Sequence, residues 1–283
     1  MTASSEGVEA MTEAAKKRLA RNLITLWTVC VIGFLYVPMV AVVLASFSKQ
    51  RYFRFPITSW TLQWYEKASE SLSVRDLVWT SLSVALLVTI FSVALAFFGA
   101  LAFARYDWKG RKIYQRLILL PIFFPQAVLG LALLLWFSAL GITTSWLTAV
   151  FAHMIWIVPI VILIMSIQVY SFDPALEEAA FDLGATRLQV LKEVTLPILS
   201  PGIISGAIFA FLLSWGNFPL SLFSTGADQT VPEWLYAKMV SGYTPMVPTL
   251  GSLTMASAAL LLLVAYLIWL VNRLRGSKLR RAD

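Results

Sequence analysis

The chain has 283 residues, of which 59% are hydrophobic and 13% charged, with a formal net charge of +7 and a mean hydropathy of +0.78. Soluble domains carry roughly 25% charged residues, so this composition excludes one. The single cysteine, Cys30, sits in an apolar run, which excludes a disulfide framework and a cysteine-based metal cluster.

Residues 1–22 are polar, contain Lys16, Lys17, Arg18 and Arg21, and read as a cytoplasmic tail. The apolar stretch 23–47 is too long for a signal-peptide core and lacks a convincing cleavage site, so it is predicted to be a retained span. An outside loop follows over 48–76. Its aromatics, Tyr52, Phe53, Phe55, Trp60, Trp64 and Tyr65, suit interface anchors better than ligand contacts. A second span is predicted over 77–104, then a basic turn from Arg105 to Lys112, with Arg116 just beyond. The third span, 117–140, carries Pro121 and Pro125. Prolines at that depth free backbone carbonyls, which is tolerated only against protein or a water-filled cavity. The fourth span, 145–170, contains His153 and Pro159.

Residues 171–200 are the longest polar stretch between spans. Asp173 stands at an N-cap, Pro174 suits the first helical position, and Glu177 and Glu178 lie near the positive end of the helix dipole. Gly184 permits the left-handed turn that stops a helix. Thr186 and Gln189 have capping-box spacing for a second short helix, which Pro197 is expected to end. The result is a helix-turn-helix elbow with apolar Leu176, Ala179, Ala180 and Leu183 beside charged Glu178 and Asp182. Such a face suits docking into another protein's groove. A connector lying on the membrane is the rival reading, but surface helices present Lys and Arg to anionic lipid, and this first half is acidic.

A fifth span is predicted over 201–223, with Trp215-Gly216-Asn217-Phe218-Pro219 near its outer end. An outside loop over 224–247 includes Pro232–Val240, which suits a short interfacial helix. The sixth span covers 248–271, and 273–283 form a basic tail. The whole is an all-α polytopic membrane protein, with one transmembrane domain over 23–272. Of the 22 Lys and Arg, four fall in the N-terminal tail, five in the 105–116 turn, two in the elbow and five in the C-terminal tail; six remain outside. By the positive-inside rule both termini and the elbow are cytoplasmic. The basic balance is therefore a topology signal, with no nucleic-acid partner implied.

No phosphate-binding G-x-x-x-x-G-K-[ST] loop occurs, nor a nucleophile elbow, zinc signature or dinucleotide fingerprint, so no catalytic residue or cofactor is assigned. Spans 117–170 and 201–223 hold no Asp, Glu, Lys or Arg. Ion-coupled carriers and ion-selective pores usually need such groups, which argues against an autonomous channel or secondary carrier. Four residues are candidates for a translocation pathway. Gln126 adjoins the proline break, and Asn217 lies in an irregular stretch between Gly216 and Pro219. Trp215 fits either an aromatic belt or a gate, and His153 suits helix packing better than a proton relay.

Glu178-Ala179-Ala180, Gly184 after three intervening residues, then Val194, Leu196 and Pro197 resemble the EAA loop of ABC-importer permeases, with Val194 for the usual Ile. The resemblance spans the chain from the first span to the sixth and implies the type I importer (MetI-like) fold. It is most similar to the polyamine branch, the spermidine/putrescine permease subunits, through Ala104-Arg105-Tyr106 with Gly110, Phe172-Asp173, and Ser224-Thr225-Gly226. This implies a bacterial inner-membrane permease that carries a small polar solute. Its partners would be a second, different permease subunit, two ATPase subunits holding ATP and Mg, a periplasmic solute-binding protein, and membrane lipid. Glu178, Ala179, Ala180, Asp182, Gly184, Leu196 and Pro197 are then the ATPase-coupling residues. Polyamine permeases carry acidic residues in the fifth span where this chain has Gly216 and Asn217, and burying a polycation without counter-charge is costly. Phosphonates, opines, amino-acid-like solutes or ferric ion therefore stay open as alternatives. A membrane scaffold that recruits a partner through the elbow is the third class.

Overall fold

In the computed structural model, which describes residues 2–52 and 54–279, every regular element is a helix. Met1, Phe53 and the last residues of the basic tail, 280–283, lie outside the described residues. Helix α1 (Thr2–Ser46) carries the polar tail and the first apolar stretch as one rod. The hydroxyls of Thr25 and Thr28 bond back to the carbonyls of Arg21 and Ile24, which removes their need for an outside partner. A short helix, α2 (Gln63–Glu70), follows and leads into α3 (Leu72–Ala100), capped by the Ser71 side chain on Val74 N. The buried positions of α3, from Val74 and Leu77 through Val84, Val88 and Ala96 to Ala100, recur every three or four residues and define one inward face.

The core is made where α3 meets two other long helices, α7 (Trp146–Tyr170) and α10 (Leu196–Trp215). More than half of the apolar window of α7 is buried in the chain, which makes it the central post. Helix α10 approaches it through a stripe of small residues, Gly202, Gly206, Ala210 and Ser214. A Cβ built on Gly206 would lie 2.9 Å from Val161 Cγ1 and 3.0 Å from Met165 Cε, so any larger residue there would push the side chains of α7 aside. The outermost pair is α1 against α13 (Met246–Leu279). Their apolar windows are 6% and 0% buried, so these faces are left for lipid or another subunit.

Between α3 and α7 the chain is broken. Helices α4 (Arg111–Leu117) and α5 (Leu120–Phe123) run at 101° to α6 (Gln126–Ala139). The predicted third span, 117–140, is thus no single rod. Phe124 precedes Pro125, whose ring forces the preceding residue out of helical geometry; its ψ is 135°. Counting this bent pair as one crossing, six segments among the described residues are long and apolar enough to cross a membrane, and five without it.

The elbow comprises α8 (Ala175–Asp182) and α9 (Arg187–Gln189). Pro197 does not end the second helix as expected. A π-helical turn, Val190–Thr195, links α9 directly to α10, and the whole run is helical from Arg187 to Trp215. The wide π turn shifts the carbonyl that a proline ring would otherwise strike, and Pro197 sits at the start of the following α-helix, where a missing N–H does least harm. The helix predicted over 201–223 stops at Trp215, and a separate short helix, α11 (Pro219–Ser224), follows the break. The interfacial helix expected at 232–240 is α12 (Val231–Ser241), which starts with a Thr230–Glu233 capping box.

Candidate functional site

Two places concentrate the polar chemistry of this chain: the elbow, and the break between α10 and α11 at the opposite end of the core. In the elbow, Asp173 Oδ1 accepts the Ala175 amide at 3.0 Å and caps α8. Gly184 turns the chain at φ +83°, and a Cβ there would meet nothing within 4 Å, so backbone strain alone reserves the position for glycine. Thr186 and Gln189 form the expected reciprocal cap. Of the residues predicted to couple to the ATPase, Glu178, Ala179 and Asp182 are exposed, Ala180 is half-buried, and Leu196 and Pro197 stand a full π turn away, where α10 begins. Leu176 and Phe181 are also exposed, and Leu183 is 90% exposed. Leu183 thus stands on an exposed turn, with Glu178 and Asp182 exposed nearby on α8.

Neighbouring Glu177 points the other way. Its Oε2 accepts from Arg105 Nη2 at 2.6 Å, and its Oε1 accepts a short hydrogen bond from the Thr195 hydroxyl. The Arg105 guanidinium lies 4.6 Å over the ring of buried Phe172. Sequence alone assigns Arg105 a topological role only, and Glu177 a place on the helix dipole. Nothing in the spacing shows that residues 72 apart form an ion pair. The end of α3 that carries Arg105 is itself held by the following turn. Trp108 Nε1 donates to Ala102 O, Arg111 to Phe103 O and Ala104 O, Gln115 to Phe103 O, and Tyr114 OH to Gly99 O. The basic turn therefore caps a helix C-terminus as well as carrying charge.

At the other end, His153 of α7 is fully buried. Its Nδ1 is 2.9 Å from Ser214 Oγ and its Nε2 is 3.1 Å from Ser221 Oγ. Ser221 donates its one hydroxyl proton to Asn217 O at 2.7 Å, so Nε2 must be the donor and Nδ1 the acceptor. His153 thus staples α10 to α11 across the break. Asn217, 4% exposed, caps α11 by accepting Leu220 N on Oδ1 at 3.0 Å. Neither side chain reaches a surface in this structure. Gln126 opens α6 beside the 101° bend and stays half-exposed. Trp215, also half-exposed, stacks on Phe211 at 5.8 Å and donates to Thr254 O at 3.4 Å. The structure therefore separates the four pathway candidates into two structural staples and two accessible side chains.

Sequence reading missed Glu233. This carboxylate in α12 is 6% exposed and accepts from Thr225 Oγ1 at 2.7 Å and Thr230 N at 3.3 Å. Burial raises its pKa above the ordinary carboxylate range, while the two hydrogen bonds pull the other way. The capping-box spacing at Thr230 and Glu233 was the available signal.

Residues 92–277, more than half of the chain, match the family described as the binding-protein-dependent transport system inner membrane component. The chain belongs to this family, whose members are permease subunits of ABC importers and are not themselves the ATP-hydrolysing component. It is 26% identical over 237 residues to the spermidine/putrescine transport system permease protein PotC of Escherichia coli, covering 83% of this chain and 89% of that one. It is 29% identical over 256 residues to the putrescine transport system permease protein PotI of the same organism, covering 87% and 90%. A chain of the bacterial ABC transporter involved in the import of the acidic polysaccharide alginate superposes with a TM-score of 0.71 at 17% identity, over 91% of this chain and 97% of that one. That likeness carries the fold, the MetI-like arrangement of type I importers.

Proposed function

We propose that this chain is one half of a permease pair that imports a small polar solute of the polyamine type, and that α8 with Leu183 and Gly184 docks into a cytoplasmic ATPase subunit. Two ATPase subunits, a second and different permease, and a periplasmic binding protein complete the assembly. The observation that carries the docking reading is the 90% exposure of Leu183 beside Glu178 and Asp182, on a turn that only glycine forms without strain. The polyamine reading rests on the similarity to PotC and PotI, each along more than four-fifths of the chain. Gln126 and Trp215 are the pathway side chains. His153 and Asn217 act behind them by holding the break.

One observation favours a second solute class. No acidic side chain occurs in 117–170 or 201–223, and a polycation there would face no counter-charge from this chain. On the polyamine reading the partner permease supplies it. On the alternative the solute is neutral or anionic.

Reconstitution with the ATPase, the partner permease and the binding protein tests both readings. Gly184→Val should lose ATPase subunits on pull-down, because left-handed backbone costs a β-branched residue about 1–2 kcal/mol, a roughly tenfold weaker docking. Full retention with normal uptake refutes the docking role. Uptake of labelled putrescine or spermidine supports the polyamine class. Uptake of an anionic solute with no competition from polyamines overturns it.

A further inference from the structure

The ion pair between the elbow and the end of α3 is not part of the docking face, and docking alone gives it no work. Glu177 is 16% exposed and Arg105 13%, while Glu178, one residue on, is exposed to solvent. Successive helical residues diverge by about 100°, so the two adjacent glutamates leave α8 in different directions, Glu177 toward the core and Glu178 toward solvent. The inward one ties α8 to two other elements at once. Arg105 is the last residue of the π turn that ends α3, and Thr195 is the last residue of the π turn that opens α10. Both wide turns thus close on a residue that bonds the same carboxylate. Isolated π turns are uncommon in helices and recur where a helix must place a side chain out of its regular register. Here the two registers converge on one point.

Arg105 is also held from behind. Phe172, the buried residue just before the elbow, receives its guanidinium, and the carbonyls around it at Ala102, Phe103 and Ala104 are each taken by a side chain of the next turn. One guanidinium nitrogen, Arg105 Nη1, is buried with no hydrogen-bond partner. An open cavity of about 880 Å³ is lined by Arg105, Glu177 and Thr195 together with Leu101, Phe181 and Leu191, so the three polar groups meet at one place between the elbow and the ends of α3 and α10.

We propose that Arg105, Glu177 and Thr195 form an internal latch that carries movement of the docked elbow into the cytoplasmic ends of α3 and α10. The latch rests on the docking reading of α8. Glu178 and Leu183 would face the ATPase, and Glu177 would face the transporter's own core. These three are positioning residues, acting on α3 and α10 through their hold on α8. Without the latch, α8 stays seated on the ATPase and hydrolysis continues, but the pull no longer reaches α3 and α10.

The test is a comparison of Glu177→Gln, Thr195→Val and the exchange Arg105→Glu with Glu177→Arg, each in the full reconstituted transporter. Three quantities are read together: ATPase subunits retained per permease, hydrolysis stimulated by the loaded binding protein, and solute taken up per ATP hydrolysed. The first variant keeps shape and removes charge, and the second removes only the hydroxyl donor. Both should retain the ATPase at wild-type level and lose at least about tenfold in uptake per ATP, within the range of typical coupling effects. The charge exchange should recover part of that loss. Because Thr195→Val leaves the ion pair whole, it remains informative if Glu177→Gln does not reach the membrane. Unchanged uptake per ATP in Thr195→Val and Glu177→Gln overturns the latch. Loss of ATPase subunits in Glu177→Gln also overturns it, because Glu177 would then belong to the docking face. Failure of the docking reading itself looks different: Gly184→Val would keep both its ATPase and its uptake.

Discussion

Glu233 shows how one buried carboxylate fixes the entry to α12. It accepts from Thr225 at the end of α11 and from Thr230 at the start of α12, so it joins two short helices across the turn between them. Its pKa is raised by burial, which means the folded state holds the proton more tightly than the unfolded chain. The stability tied to this group is complete below the ordinary carboxylate range and declines as pH rises through the elevated value. Thermal unfolding of the detergent-solubilised protein should therefore show that Glu233→Gln flattens the fall in stability as pH rises above the ordinary carboxylate range. Glu233→Ala should destabilise by roughly 1–3 kcal/mol throughout, because the Thr230 amide then loses its buried acceptor, while the Thr225 hydroxyl keeps Ser221 O. Equal behaviour of the two variants would contradict this account of the site. The local capping signals at Asp173, Thr186 and Gly184 were legible in the sequence because caps depend on neighbours a few residues apart. The Arg105–Glu177 pair was not legible, because its partners are brought together only by the packing of α3 and the elbow.

At the scale of elements, the contact between α7 and α10 is set by the small residues of α10. Gly206→Leu would drive side-chain carbons into Val161 and Met165, and overpacking of this kind costs about 1–3 kcal/mol. The variant should unfold at lower temperature in detergent and accumulate poorly in membranes, whereas Ser200→Leu, on the same helix but off that stripe, should not. Comparable stability of Gly206→Leu and the wild type would remove this contact from the core. Hydropathy marks the apolar stretches, since a run of some twenty apolar residues has few other uses. It located their ends poorly. Helix α10 begins beyond a π turn and stops at Trp215, and the 101° bend at Pro125 splits a run that composition alone reads as continuous. Proline marked both irregular places. Its effect differed, because Pro125 forces an extended residue before it, while Pro197 lies where a wide turn had already made room.

On the scale of the whole molecule, the core of α3, α7 and α10 connects the elbow to the staple at His153, and the apolar faces of α1 and α13 remain open. The proposed orientation places Thr186 in the cytoplasm and Gln229 outside. Both are exposed in the structure, so single cysteines there, in a background lacking Cys30, report it cleanly. A membrane-impermeant thiol reagent should label Gln229→Cys in intact cells and Thr186→Cys only after permeabilisation, and the reverse pattern would invert the topology. The central claim is that the exposed tip of α8 is seated on an ATPase subunit. A photo-crosslinking amino acid at Leu183, with a control at Gln229, measures this directly in membranes that contain the whole transporter. The account predicts a crosslinked band between this chain and the ATP-hydrolysing subunit from position 183 and none from 229. No such band from 183, or an equal one from 229, would contradict it.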